Sequence, residues 1–313
     1  MFKPNQIFAA PLAGITDKPY RRILRKCAPD AMLMTEMISC HSLVAAAKNC
    51  KRNFDTYADE GNIGAQIFGA DPQLMGEAAK ILESQGATWI DINMGCPVPK
   101  VATKAGAGAF LMRDHVLAGR IITTVVGAVK IPVSIKTRLG WDDKHLDSIN
   151  LIRIAADSGV QFATVHGRTR AQGYAGVADW QKISTIKKQM ANFPIVFNGD
   201  IKTAENVDAV EKLGADGAMI GRALLGNPWL LGELCVGANE NSPEKAIEKS
   251  LLILEHFELA MQYYGERTGV PMFRKHAAWY SNGMKDAAVF RIKVNQIQSV
   301  PEMSRALREF FMK

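Results

Sequence analysis

Pro194-Ile195-Val196-Phe197-Asn198-Gly199-Asp200 is followed by a helix-period stretch over 203–213 and then by Gly217-Ala218-Met219-Ile220-Gly221-Arg222. Each apolar run is strand-length and stops at a glycine with polar neighbours, and a helical segment carries the chain between them, which is the pattern of a βα unit in a parallel sheet. Outward from this pair the unit repeats. Strands are expected at 7–14, 32–39, 63–69, 89–95, 132–140, 162–168, 194–200 and 217–223, with helices such as 71–85, 117–129, 147–158 and 203–213 between them, several opening on Asp or Thr caps and closing on Gly. Eight such units in about 235 residues have the size of a (β/α)8 TIM barrel. An open doubly wound sheet could be built from the same units. The barrel is preferred because polar residues recur at the C-terminal ends of the strands, where barrels build their sites: Gln66, Asn93 and Cys96, Lys136 and Arg138, His166 and Arg168, Asn198 and Asp200, Gly221 and Arg222.

The alternation stops near residue 240. Asn239-Glu240-Asn241-Ser242-Pro243 reads as a linker, and Ile247, Leu251, Leu254, Phe257 and Met261 beyond it follow a helical period without a strand signal. The expected division is a barrel over 1–240 and a small all-helical domain over 241–313. From residue 265 to the end there are nine Lys/Arg against four acids, so most of the chain's net charge of +7 gathers there, as a polyanionic partner would require. A composition of 48% hydrophobic and 22% charged residues excludes a disordered or collagen-like chain. The apolar patch 7–15 is broken by Pro11 and Gly14 and followed by Lys18, Arg21 and Arg22, so no secretory leader is expected, and no apolar run is long enough to span a membrane. Five cysteines form no C-x-x-C pair in a chain too long to need staples, which leads us to expect a reducing compartment, the cytoplasm.

Several strand ends carry chemistry. The loops after the last two strands of a barrel frequently hold a phosphate through glycine amides and a helix N-terminus, and here they are Asn198-Gly199-Asp200 and Gly221-Arg222. The alternative is that both glycines only close tight turns. In Val133-Ser134-Ile135-Lys136-Thr137-Arg138, residues 134, 136 and 138 share one face, and a lysine inside a barrel needs an anion. A flavin, with negative charge near N1 and O2 when reduced, supplies one; reaching solvent or pairing with a carboxylate are the alternatives. His166 is either a core residue or part of the same site. Cys96, between Gly95 and Pro97 just past a strand, has a setting unlike the apolar surroundings expected of Cys27, Cys40, Cys50 and Cys235, and its thiol suits an acid as well as a nucleophile. Metal-ligand spacings and a G-x-x-x-x-G-K-[ST] loop are missing, and Gly106-Ala107-Gly108 lacks the third glycine of a Rossmann turn, so neither a metal nor a tightly held nicotinamide is expected.

Taken in order, Pro11-Leu12-Ala13-Gly14-Ile15-Thr16-Asp17, Asp91-Ile92-Asn93-Met94-Gly95-Cys96-Pro97, Lys136-Thr137-Arg138-Leu139-Gly140-Trp141, His166-Gly167-Arg168-Thr169-Arg170, Asn198-Gly199-Asp200 and Ile220-Gly221-Arg222-Ala223 resemble the tRNA-dihydrouridine synthases, the type-B bacterial branch above all. The resemblance covers essentially the whole chain, including Arg274-Lys275-His276. It implies a tightly bound flavin mononucleotide (FMN) with Pro11, Leu12 and Ala13 beside the ring, Gln66 and Lys136 at its polar edge and His166 nearby, its phosphate falling to Asn198, Gly199, Asp200, Gly221 and Arg222. It also implies transient reduction of the flavin by NADPH and Cys96 as the catalytic acid. Asn93 and Arg138 would face a flipped-out uridine of the tRNA D-loop, and Arg274, Lys275 and His276 would hold the tRNA. No membrane and no obligate protein partner are implied. Val98-Pro99, ahead of Lys100, departs from the more polar pair expected there and leaves the details of the Cys96 loop open. Two other readings use some of these residues: a flavin barrel acting on a small molecule, which needs no basic helical domain, and a tRNA-binding protein without catalysis, which needs neither Cys96 nor Lys136.

Overall fold

The computed structural model describes residues 3–47, 54–57, 59–236 and 243–312. Its strands are β1 Gln6–Ala9, β2 Leu33–Met34, β3 Ile38–Ser39, β4 Ile63–Phe68, β5 Trp89–Met94, β6 Val133–Arg138, β7 Phe162–His166, β8 Ile195–Asn198 and β9 Gly217–Ile220. They alternate with α1 Lys18–Cys27, α2 Cys40–Ala47, α3 Pro72–Ser84, α4 His115–Ala128, α5 Ser148–Asp157, α6 Trp180–Gln189, α7 Ala204–Lys212 and α8 Trp229–Val236. Asp17, Asp71, Asp114 and Asp179 cap four of these helices through their side chains, each accepting a first-turn amide at 2.9 Å. Asp147 stands at the start of α5 but makes no such bond; its Oδ2 lies 3.7 Å from His115 Nε2.

The strands pair in parallel in the order β1-β9-β8-β7-β6-β5-β4-β2. Met32 N donates to Ile7 O at 2.9 Å and Ala9 N to Met32 O at 3.0 Å, joining the two ends of that path. The sheet is therefore a closed TIM barrel, and the doubly wound alternative falls. All eight expected strands form, with one difference: the second is split into β2 and β3, both pairing with β4. The break comes at Thr35, whose Oγ1 accepts the Gln66 amide at 3.2 Å, so a side chain takes the place of a ladder carbonyl.

Because side chains alternate across a strand, the barrel interior is read off every second residue. At the bottom, Phe8, Trp89, Phe162, Val196 and Met219 form a closed apolar plug, with Trp89 lying over Gly64 where a Cβ would stand 2.1 Å from its ring. One step up are Gln66, Asp91, Ser134 and Thr164, all buried; at the top are Asn93, Lys136, His166 and Asn198. The residues between them, such as Ile90, Ile92, Ile135 and Val165, face outward into the main core beneath the helices.

The C-terminal part is helical, as expected: α9 Pro243–Tyr264, α10 Glu266–Tyr280, α11 Ala287–Gln296 and α12 Val300–Phe311 pack around their own core of Phe257, Phe273, Val294, Met303 and Leu307. The expected boundary and residues 239–242 of the expected linker at 239–243, together with Cys50 and Lys313, lie outside the described residues, and Pro243 is the first residue of α9. No described helix is long and apolar enough to cross a membrane. This part is seated on the barrel through the loop after β1 and through α1: Tyr264 Oη donates to Asp17 Oδ2 at 2.7 Å, Lys275 Nζ donates to Gly14 O, and the Tyr20 ring meets His256 and His276 at 5.3 and 5.4 Å.

Below that contact Arg21 and Glu60 form an ion pair at 2.7 Å with both side chains buried, and Arg21 also donates to Thr16 O at 3.0 Å, fixing the β1 loop from beneath. Breaking a buried pair strands the remaining charge. Glu60→Gln is expected to cost about 3 kcal/mol of folding stability, measured by urea unfolding.

Candidate active site

A cleft of about 670 Å3 opens at the C-terminal ends of the strands. Most of the barrel residues singled out from the sequence line it: Pro11, Leu12 and Ala13 from the β1 loop, Gln66 from β4, Asn93 and Cys96 from β5 and its loop, Lys136 and Arg138 from β6, His166 from β7, Asn198, Gly199 and Asp200 from β8, and Gly221 and Arg222 beyond β9; Arg168 does not, being buried against His166 and Asp200. Met37 and Tyr174, which sequence reasoning missed, line it too.

Lys136 stands at the centre. Its Nζ donates to Asn198 Oδ1 at 3.0 Å, and Asn198 in turn donates Nδ2 to Met219 O at 2.8 Å. The lysine therefore neither reaches out to solvent nor pairs with a carboxylate; its partner is a neutral amide oxygen. Burial, reinforced by the neighbouring Arg138, pulls its pKa down to about 8 against the pull of Asp91 and Cys96, so at neutral pH an ammonium faces the cleft without a counter-ion in hydrogen-bond contact. His166 is held well below its ordinary pKa by burial and by Lys136 and Arg138, and is neutral. Arg168 Nη1 lies 3.3 Å from its Nε2; an arginine only donates, which makes Nε2 the acceptor and leaves the proton on Nδ1.

Cys96 is placed by its loop. Asn93 Oδ1 accepts the amides of Cys96 at 2.9 Å and of Gly95 at 3.2 Å, Arg138 Nε donates to Gly95 O at 2.7 Å, and Ala109 N donates to Cys96 O at 3.1 Å. Gly108, at φ +56°, lies against this turn: a Cβ there would meet Cys96 O at 3.0 Å and Cys96 Cβ at 3.1 Å. Half of the Gly106–Gly108 pair, which led nowhere as a nucleotide motif, is thus required by the thiol's seat. Val98, half-exposed at the cleft wall, accepts Val101 N at 2.9 Å and Ala102 N at 2.8 Å and so starts the helical turn that follows. Burial pushes the Cys96 thiol up, more than the Val98 amide, Arg138 and Lys136 pull it down. It stays protonated at neutral pH, which favours an acid over a nucleophile.

At the other end Gly199, at φ +108°, has the His166 ring where a Cβ would be, 2.6 Å away, whereas over Gly221 the nearest such atom is Ala10 Cβ at 3.6 Å. Asp200 Oδ2 accepts Arg168 Nη2 at 2.6 Å and Ala178 N at 2.8 Å. Burial alone would raise this carboxyl, but the Ala178 amide and Arg168 outweigh it and hold it below the usual range. Its Oδ1 lies 3.4 Å from Arg222 Nη2, orienting a guanidinium whose side chain is 49% exposed.

The chain matches the family model described as Dihydrouridine synthase (Dus) over residues 8–313. It belongs to the dihydrouridine synthase family. A protein named probable tRNA-dihydrouridine synthase from Rickettsia bellii is 38% identical over 98% of this chain and 95% of its own length. Another of that name, numbered 1, from Synechocystis is 42% identical over 95% and 84%. A tRNA-dihydrouridine synthase B from Pseudomonas aeruginosa is 36% identical over 98% and 93%. The resemblance read from the motifs therefore holds.

Within this family member several of the expected site residues are also held by the protein's own hydrogen bonds. Arg138 donates Nε to Gly95 O and Nη1 to Thr169 O and Gly173 O, and is 3% exposed. Asn93 is committed at both ends, Oδ1 to the turn and Nδ2 to Gln66 Oε1 at 2.8 Å. In the helical part none of the Arg274-Lys275-His276 trio stands on open surface: Arg274 donates to Ile297 O at 2.6 Å, Lys275 to Gly14 O, and His276 is buried against Tyr20 and His256. Among the described residues of α10 to α12 and their connections, the exposed cations are Arg267, Lys285, Lys293, Arg305 and Arg308. Cys235, expected to be an apolar filler, is exposed.

The raised thiol has a direct consequence. Alkylation of Cys96, followed by peptide-resolved mass spectrometry, is expected to be slow at pH 7 and still climbing above about pH 9.5, where an ordinary thiol near 8.5 has levelled off.

Proposed function

We propose that the protein reduces a uridine in the D-loop of tRNA to 5,6-dihydrouridine in the cytoplasm, with FMN held in the cleft and NADPH as its reductant. The observation that carries this reading is the pairing, in one cleft, of a half-buried ammonium hydrogen-bonded to an amide oxygen rather than to a carboxylate with a thiol kept protonated. The residues fit the cofactor. Pro11, Leu12, Ala13 and Met37 offer an apolar wall, Lys136 an unneutralised cation for the ring's anionic edge, and Arg222 with the open space over Gly221 a place for a phosphate. Bound there and reduced by NADPH, FMN would supply the hydride for uracil C6.

What the chain's own residues add is proton delivery and positioning. Cys96 gives its proton to C5, so that hydride and proton together saturate the double bond, and the thiol is then reprotonated from solvent. Neutral His166 offers Nδ1–H as a donor rather than a second positive charge. A base inside the tRNA fold cannot reach this depth, so the uridine is extruded into the cleft, and the exposed Arg267, Lys285, Lys293, Arg305 and Arg308 hold the phosphate backbone with an affinity that falls as salt rises.

Cys96→Ala is expected to lower the rate of dihydrouridine formation by a factor of about 100 or more while NADPH still reduces the flavin at the parental rate; full turnover by this variant would sink the acid assignment. Lys136→Met is expected to weaken FMN binding about tenfold, the worth of a charge-assisted contact. Lys136 is charged below about pH 8 and loses its proton above, a bound anion moving that transition upward. FMN affinity of the parent, followed by flavin fluorescence, is therefore expected to fall as the pH is raised past 8, and the Lys136→Met variant to show no such fall.

A further inference from the structure

Asp91 is fully buried in the barrel interior, one inward step below Asn93 on β5, and plays no part in the reaction as set out above. Its Oδ1 accepts Ser134 Oγ at 2.6 Å and its Oδ2 accepts Gln66 Nε2 at 2.7 Å. The chain continues: Gln66 Oε1 accepts Asn93 Nδ2 at 2.8 Å, and Asn93 Oδ1 accepts the Cys96 and Gly95 amides. A side-chain amide has one accepting and one donating side, so such a chain has a direction. Here an acceptor stands at the bottom and backbone donors at the top, and the two amides between them can satisfy every link in one orientation only. Reversing Gln66 would aim its NH2 at the NH2 of Asn93, and reversing Asn93 would aim donors at the Cys96 turn.

We propose that Asp91 is a positioning residue: as the acceptor that anchors this chain from the barrel interior, it holds the Gln66 and Asn93 amides in the orientation that seats the Cys96 turn. The inference rests on the reading of Cys96 as the proton donor for its importance to turnover, but not for its test. What Asp91 contributes is an acceptor for Gln66, not a charge. Burial raises its pKa against the Ser134 and Gln66 hydrogen bonds and Lys136, and either protonation state of the carboxyl leaves an oxygen that accepts Gln66 Nε2. Asparagine would do the same, its oxygen toward Gln66 and its NH2 toward Ser134 Oγ, whereas leucine would leave the Gln66 NH2 and the Ser134 hydroxyl buried without their partner.

The experiment compares Asp91→Leu, Asp91→Asn and the parent by the rate at which iodoacetamide labels Cys96, resolved by peptide mass spectrometry, on the flavin-loaded proteins at one pH. Asp91→Leu is expected to label about fivefold faster, because the turn loses a held partner, and Asp91→Asn within about twofold of the parent. Dihydrouridine formation is expected to drop in the first and persist in the second, with NADPH oxidation by the flavin unchanged in both. Equal labelling of parent and Asp91→Leu would overturn the proposal, and so would an Asp91→Asn protein as impaired as the leucine variant, which would mean that the charge is what counts. Should Asp91→Leu not fold, Gln66→Leu cuts the same chain one link higher, and its Cys96 is expected to label faster by a similar factor; parental labelling there would equally refute the chain. Labelling needs no turnover, so a failure of the Cys96 acid reading would show in activity alone.

Discussion

Ile7, Ala9 and Met32 share two hydrogen bonds, and with them the parallel sheet has no free edge. Once the sheet is closed, the inward side chains of its strands have only one another and the open end to satisfy them. Large apolar residues fill the lower end, and the polar ones above, Thr164 apart, whose buried hydroxyl has no hydrogen-bond partner, either bond to one another or face the cleft. Asp91, Gln66, Ser134 and Asn93 do the first; Lys136, left with a neutral amide for a partner, does the second. The cleft's electrostatics follow from closure, because in an open sheet the same lysine would be hydrated.

Much of this was visible in the sequence because the barrel punctuates itself. Most strands end at or just before a glycine or a polar residue, and these endings gave both the topology and the lining of the cleft. Lys136 could be placed inward by parity against Val133 and Ile135, and Cys96 by the glycine and proline around it. What stayed hidden was whatever a distant residue decides. Met32 to Ser39 reads as one uninterrupted strand; the break at Thr35 exists because its hydroxyl captures an amide on β4. Met37 reaches the cleft only by virtue of that break. Tyr174 carried a fainter signal, an aromatic between Gly173 and Gly176 shortly after a strand end, and lies over Arg222 at 4.8 Å.

Charge counting had a similar limit. It located the basic excess in the helical part but not the face that carries it. Arg274, Lys275 and His276 lie on α10, whose neighbours Phe273, Ala277 and Tyr280 are core residues, so this stretch turns toward the barrel and toward α11, while Arg267 in the first turn of α10 and Lys285, Lys293, Arg305 and Arg308 beyond it are exposed.

Lys275 and Tyr264 each reach across to the segment Gly14–Asp17, and that segment continues directly from Pro11, Leu12 and Ala13 on the cleft wall. The helical part is therefore a strut as well as a surface. A load applied to α10 by a docked macromolecule meets the wall of the cleft after a single hydrogen bond, so that grip on the outside and fit on the inside are mechanically one property of this chain.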